Sequence, residues 1–109
     1  MEILTKYEEL ILLCVLKLED NAYGTTIFKY LKELTGKALS LGGVYFPLDR
    51  LAKKGYLVSY TGKATPERQG LSRRYYKLSS EGIAVLNEIK RVNEILWADY
   101  SYRASNSGE

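Results

Sequence analysis

Apolar residues recur at helical spacing in three stretches, give way to two β-branched and aromatic runs, and return to helical spacing near the end. Thr5 followed by Glu8 is a capping-box pattern, and Leu10, Ile11, Leu13, Cys14, Leu16 and Leu18 predict a first helix to about Leu18, buried on a broad face. Asp20-Asn21 supplies a turn. Ile27, Phe28, Tyr30, Leu31 and Leu34 then predict a short second helix that stops at Gly36. Ser40 is a good N-cap for a third, which carries Val44, Tyr45, Leu48, Leu51 and Ala52 and ends at Gly55. Pro47 falls inside it, where the missing N–H should cost a hydrogen bond and bend the axis unless the helix starts later.

Tyr56 to Thr61 and Arg73 to Leu78 read as strands, joined by a turn-rich stretch from Gly62 to Ser72. On the second strand Tyr76 and Leu78 are expected to face inward with Arg74 on their side, leaving Arg73, Tyr75 and Lys77 outward. Ser79 can cap a last helix to about Tyr100, in which Val85, Ile89, Val92 and Leu96 recur at coiled-coil spacing, widened by Leu86, Ile95 and Trp97. The fold class read from this order is α+β, mostly helical: a winged helix-turn-helix over residues 1–79, a C-terminal helix over 80–101 and a disordered tail over 102–109.

The 109 residues, 46% of them apolar and 27% charged, fit one soluble domain with a modest core. There is no histidine, and Cys14 is the one cysteine, so imidazole bases, Ser-His and Cys-His pairs, disulfides within the chain and the common zinc geometries are excluded. Cys14 lies in an apolar stripe with no basic neighbour, which makes it a core residue rather than a nucleophile. No metal or cofactor is expected. The apolar run from Leu10 to Leu16 is too short for a bilayer and lacks a basic leader, so the expectation is a cytoplasmic protein without a membrane partner.

Charge is segregated along the chain. From Gly36 to Lys77 nine bases face only Asp49 and Glu67, a net of +7, while the rest of the chain carries −4. Such segregation marks an anion-binding surface more often than a solvated face. A helix fits the DNA major groove, so the third helix can enter it while the second crosses the backbone. The candidate DNA-contacting residues are therefore Ser40, Leu41, Gly42, Gly43, Val44 and Tyr45 at its start, Arg50 and Lys54 toward its end, and Lys63, Arg68, Arg73 and Arg74 in the hairpin. Gly42 and Gly43 either let a phosphate approach the first turn or satisfy packing against another helix. The arginine pair either grips phosphates or keeps an edge strand from aggregating.

Ser40-Leu41-Gly42-Gly43-Val44-Tyr45, then Leu48, Arg50, Leu51, Gly55 and Leu57, then Gly70, Arg73-Arg74-Tyr75-Tyr76-Lys77-Leu78 and Gly82, with the earlier Ala22-Tyr23-Gly24, resemble the PadR family of bacterial transcriptional regulators over about residues 5 to 100. Two departures stand out: Phe46 intervenes between Tyr45 and Pro47, and Leu71 follows Gly70 where an arginine is usual. The resemblance implies a homodimeric repressor on a palindromic operator, dimerised through the last helix by Leu86, Ile89, Val92, Leu96 and Trp97. It also implies a hydrophobic small-molecule effector near that interface. Trp97 is read as interface packing first and as a ligand platform second.

A winged helix can instead bind an acidic protein partner and never touch DNA, and fold alone does not separate the two. An enzyme is disfavoured, because the carboxylates are scattered over helix faces and no histidine or second cysteine exists.

Overall fold

The computed structural model describes residues 2–37, 40–62 and 72–100. Helix α1 spans Lys6–Leu18, followed by a 3₁₀ turn at Glu19–Asn21, α2 at Gly24–Thr35, α3 at Gly42–Lys53, β1 at Leu57–Thr61, β2 at Arg74–Leu78 and α4 at Ser80–Trp97. The order is the one read from the sequence, with boundaries shifted by one to three residues.

Local chemistry explains the ends. Thr5 and Glu8 form the reciprocal capping box: the Thr5 hydroxyl accepts from the Glu8 N–H at 3.1 Å, and the Glu8 carboxylate accepts from the Thr5 N–H at 2.9 Å. Ser79 accepts from the Gly82 N–H at 3.0 Å to start α4. Gly36 and Gly55 follow α2 and α3 at φ of +69° and +87°, a conformation that costs a residue without Cβ little. The α4 helix ends at Trp97 rather than Tyr100, since Ala98 is extended and Asp99 has φ of +68°.

The core gathers Ile11, Leu12, Cys14 and Val15 from α1, Ile27 and Leu31 from α2, Val44, Leu48 and Leu51 from α3, Leu57 and Tyr76 from the hairpin, and Val85 and Leu86 from α4. One expectation needs correcting here. The buried side of α1 includes Leu12 and Val15, whereas Leu13 and Leu16 are 40% and 54% exposed. A seven-residue apolar run without a polar position has no phase of its own, and the packing partner sets its rotation.

The strands pair antiparallel, Leu57 against Leu78 through Thr61 against Arg74. Tyr76 is buried and Leu78 half-buried, as the alternation predicts, while Arg74 at the open end stays exposed. The hairpin is also tied to the helices. Tyr23 bridges Tyr75, and the Tyr76 N–H donates to the Ala22 carbonyl at 2.9 Å, so the residues before α2 act as a short third strand. The hairpin tip with Lys63 and Arg68, and the tail over 102–109, lie outside the described residues.

Candidate nucleic-acid interface

Three features fix α3 in place. Its inner side, Val44, Leu48 and Leu51, has no exposed surface, and Pro47 is buried with them. Pro47 has no N–H to give to the Gly43 carbonyl four residues back, and that oxygen accepts instead from the Tyr7 hydroxyl of α1, at 2.7 Å. The hydrogen bond that proline removes is thus replaced from a second helix, and α3 continues through Pro47 to Lys53. At its other edge the Tyr45 ring lies directly on Gly24 at the start of α2, where any Cβ would overlap it. Glycine at position 24 is what lets the two helices meet through a flat ring.

The start of α3 is close to expectation. Ser40 accepts from the Gly43 N–H at 3.0 Å, and the Val44 and Tyr45 N–H groups both donate to the Leu41 carbonyl. A Cβ at Gly42 would meet nothing nearer than 4.0 Å, so packing against another helix does not account for that glycine among the described residues. Val44 needs correction as a base contact. It has no exposed surface and belongs to the core. The outward side of α3 is instead Gly42, Phe46, Asp49 and Lys53, with Tyr45 and Arg50 on its flanks. Phe46, Asp49 and Lys53 were missed by the sequence reading, although stepping three and four residues from Gly42 would have reached them.

Arg50 and Lys54 are also placed differently. The Arg50 Nε donates to the Glu8 carboxylate at 3.3 Å, and the Lys54 ammonium lies 3.7 Å from Glu8 and 2.9 Å from Glu2. Both side chains turn back along α1 rather than out from the α3 face. The acidic N-terminal flank therefore folds onto the basic centre, and charges segregated in sequence are partly mixed in space. Burial of Glu8 by itself would raise its pKa, but the Thr5 hydrogen bonds, the Lys54 charge and the Arg50 guanidinium hold it below the ordinary 4.5. A depressed folded pKa adds stability that is complete above about pH 4.5 and is lost as pH falls through the lower folded value. Glu8→Ala should cost about 1–3 kcal/mol at neutral pH from the lost cap and charged hydrogen bonds. Denaturant melts at pH 7 and pH 3 should show the difference shrinking in acid; an equal difference at both would assign the loss to packing alone.

On the outer face of the hairpin, Tyr23, Tyr75 and Tyr60 form a continuous aromatic row. Tyr23 meets Tyr75 edge-on at 5.5 Å, and Tyr75 stacks on Tyr60 at 5.6 Å. The Arg73 guanidinium sits 3.9 Å over the Tyr23 ring, and the Lys77 ammonium lies 5.8 Å from the Tyr60 ring. Arg73 is thus held at the entrance to α2 while Arg74 next to it is exposed. Neither forms an ion pair within the described residues, which leaves their charge available to an anion.

The expected dimer surface is split. Val85 and Leu86 are buried in the protomer's own core, so Leu86 forms the floor of the surface rather than part of a contact. Farther along α4 the same face runs past the domain and loses its cover: Ile89 and Val92 are half-buried, and Leu96 and Trp97 are 74% and 63% exposed. With Leu13 and Leu16 of α1, Leu86, Ile89 and Trp97 line an apolar groove of about 590 Å³. Trp97 also packs edge-on against Tyr100 at 5.1 Å. Cys14 lies beneath in the core, its thiol pushed up to about 11 by burial, which makes it inert as expected.

No helix among the described residues is long and apolar enough to cross a membrane. Comparison with curated proteins finds no match. Among solved structures, a PadR-like transcription factor from Bacteroides fragilis is 29% identical, with a TM-score of 0.69 over 88% of this chain and 87% of its own. A PadR-like regulator from Bacillus cereus shares the fold at 23% identity and a TM-score of 0.69, over 94% and 91% of the two chains. The ORC1 protein of Aeropyrum pernix, solved in complex with DNA, aligns at 27% identity and a TM-score of 0.61, over 77% of this chain and 23% of its own. The transcriptional regulator PadR-like family model matches residues 12–88, which include all of α2, α3 and the hairpin. The family and its solved members are regulators of transcription, not enzymes. The chain belongs to the PadR-like family of transcriptional regulators.

Proposed function

We propose that two copies of this chain bind a two-fold symmetric operator, each laying α3 in a major groove with its β1–β2 hairpin on the neighbouring backbone, and that occupancy represses transcription. The observation that carries the reading is α3 itself: buried on one side, braced by Tyr7 and Gly24, and exposed among the described residues along Gly42, Phe46, Asp49 and Lys53. The likeness to part of a protein solved in complex with DNA supports it. Arg73, Arg74 and Lys77 are the phosphate contacts assigned to the hairpin, since they carry charge that no described carboxylate neutralises. A reporter whose expression drops when the chain is removed would contradict repression.

Changing Arg73 and Arg74 together to alanine should weaken binding to every duplex by a similar factor. The salt slope should fall by roughly 1 to 2 units per subunit, because each lost phosphate contact removes about 0.9. Anisotropy titrations on specific and random duplexes at several salt concentrations measure both. An altered sequence preference with an unchanged slope would mean that the hairpin reads bases.

The homodimer reading rests on α4, whose apolar stripe continues beyond its own core to Leu96 and needs a second copy to cover it. The groove beside it is the place we assign to a hydrophobic effector. Trp97 is the chain's one tryptophan, so saturable quenching of its fluorescence by a phenolic or aromatic compound tests that assignment. Quenching that rises linearly with concentration would count against a site.

A further inference from the structure

The outward face of α3 carries an aromatic ring that neither the core nor the phosphate contacts use. Phe46 is 77% exposed, and Leu41 and Tyr45 beside it are each 45% exposed. The Phe46 ring leans back over the first turn, its Cε2 lying 4.0 Å from where a Cβ on Gly42 would stand, so the absent side chain at Gly42 leaves the ring uncovered. Pro47 next to it is buried, and Tyr7 holds the Gly43 carbonyl, which fixes the backbone beneath the ring. The charges on this face pair with each other, Lys53 to Asp49 at 3.0 Å. Phe46 is therefore the most exposed apolar group on this face.

We propose that Phe46 reads thymine in the major groove by covering its C5-methyl group, and so determines the sequence preference of α3. The inference rests on the DNA-binding reading above. Within the major groove the hydrocarbon on base-pair edges is the thymine methyl, and the other edge groups are hydrogen-bond donors or acceptors that a phenyl ring cannot satisfy. A ring set against a methyl removes apolar surface from water on both sides, worth about fourfold in affinity per methyl covered. Phe46 thus supplies base discrimination without charge, while Arg73 and Arg74 supply affinity without sequence.

The test uses the full-length chain and a duplex selected by it from random DNA. Each thymine of that duplex is replaced in turn by deoxyuridine, which removes the methyl and keeps every hydrogen-bonding group. The parent should lose about fourfold at one or two positions in each half-site, and Phe46→Ala should bind the thymine and deoxyuridine forms equally while melting like the parent. Phe46→Leu should keep part of the preference. If the parent binds both forms alike, or if Phe46→Ala retains the thymine preference, the inference is overturned and the DNA-binding reading stands. If no duplex is retained even at low salt, both fall, and the exposed ring belongs to a protein contact.

Discussion

Ending the chain after Asn87 should leave a monomer. The cut removes Ile89, Val92, Ile95, Leu96 and Trp97, and burial of a large apolar side chain is worth on the order of 1.5–3 kcal/mol. Most of that surface is uncovered within one copy, Leu96 at 74% and Ile95 at 61% exposure, so the loss should fall mainly on association. Ile89 and Val92 also pack on the protomer, so the truncated chain should melt somewhat earlier as well. Leu96→Asp separates the two effects: it should keep the protomer's melt and abolish the dimer, because a carboxylate placed on an apolar interface must be desolvated without a partner. Sedimentation of both variants is the measurement. A dimer that survives in both would move the interface away from α4.

Leu48→Ala is expected to cost about 2–5 kcal/mol, the range for emptying a fully packed core site. Leu48 has no exposed surface and sits between Val44 and Leu51 on the inner side of α3. The cavity would lie under the helix assigned to the major groove, so recognition should decline because α3 loses its seat. Stability should therefore fall before sequence preference changes, the reverse of the pattern expected for Phe46→Ala. Denaturant midpoints read alongside duplex titrations distinguish them. A Leu48→Ala variant that melts like the parent yet no longer binds would show that Leu48 points outward.

What the sequence disclosed, and what it withheld, follows from the range of the forces involved. Helix ends were legible because caps are local: Thr5 with Glu8, Ser79 with Gly82, and the glycines at 36 and 55 act within one turn of themselves. The alternation that placed Tyr76 inward is local too. Contacts between distant residues were not legible. Nothing near Pro47 announces that Tyr7 will take up the Gly43 carbonyl, and nothing in a basic run announces that Glu2 and Glu8 will fold onto Arg50 and Lys54. The Tyr23–Tyr75 bridge is one residue long and leaves no periodic signal. Val44 reads as a DNA contact from its place at the start of α3, and Leu86 as a dimer contact from the last-helix stripe and the resemblance, while burial is decided by elements brought in from elsewhere.

Leu13 and Leu16 illustrate the same limit from the other side. A helix apolar on most of its surface satisfies the core with Ile11, Leu12 and Val15 and still has leucines left for the groove against α4. The pattern alone could not say which leucines did which, but it did show that α1 had more apolar surface than one core face requires.

Recognition of duplex DNA by a symmetric pair of chains has a direct test. Selecting bound duplexes from random DNA with the full-length chain, at low and at physiological salt, tests it most directly. One inverted repeat should be enriched, with its half-sites about one helical turn apart, centre to centre, and affinity should fall steeply as salt rises. Failure to retain any duplex at low salt, or retention without an enriched sequence, would contradict it.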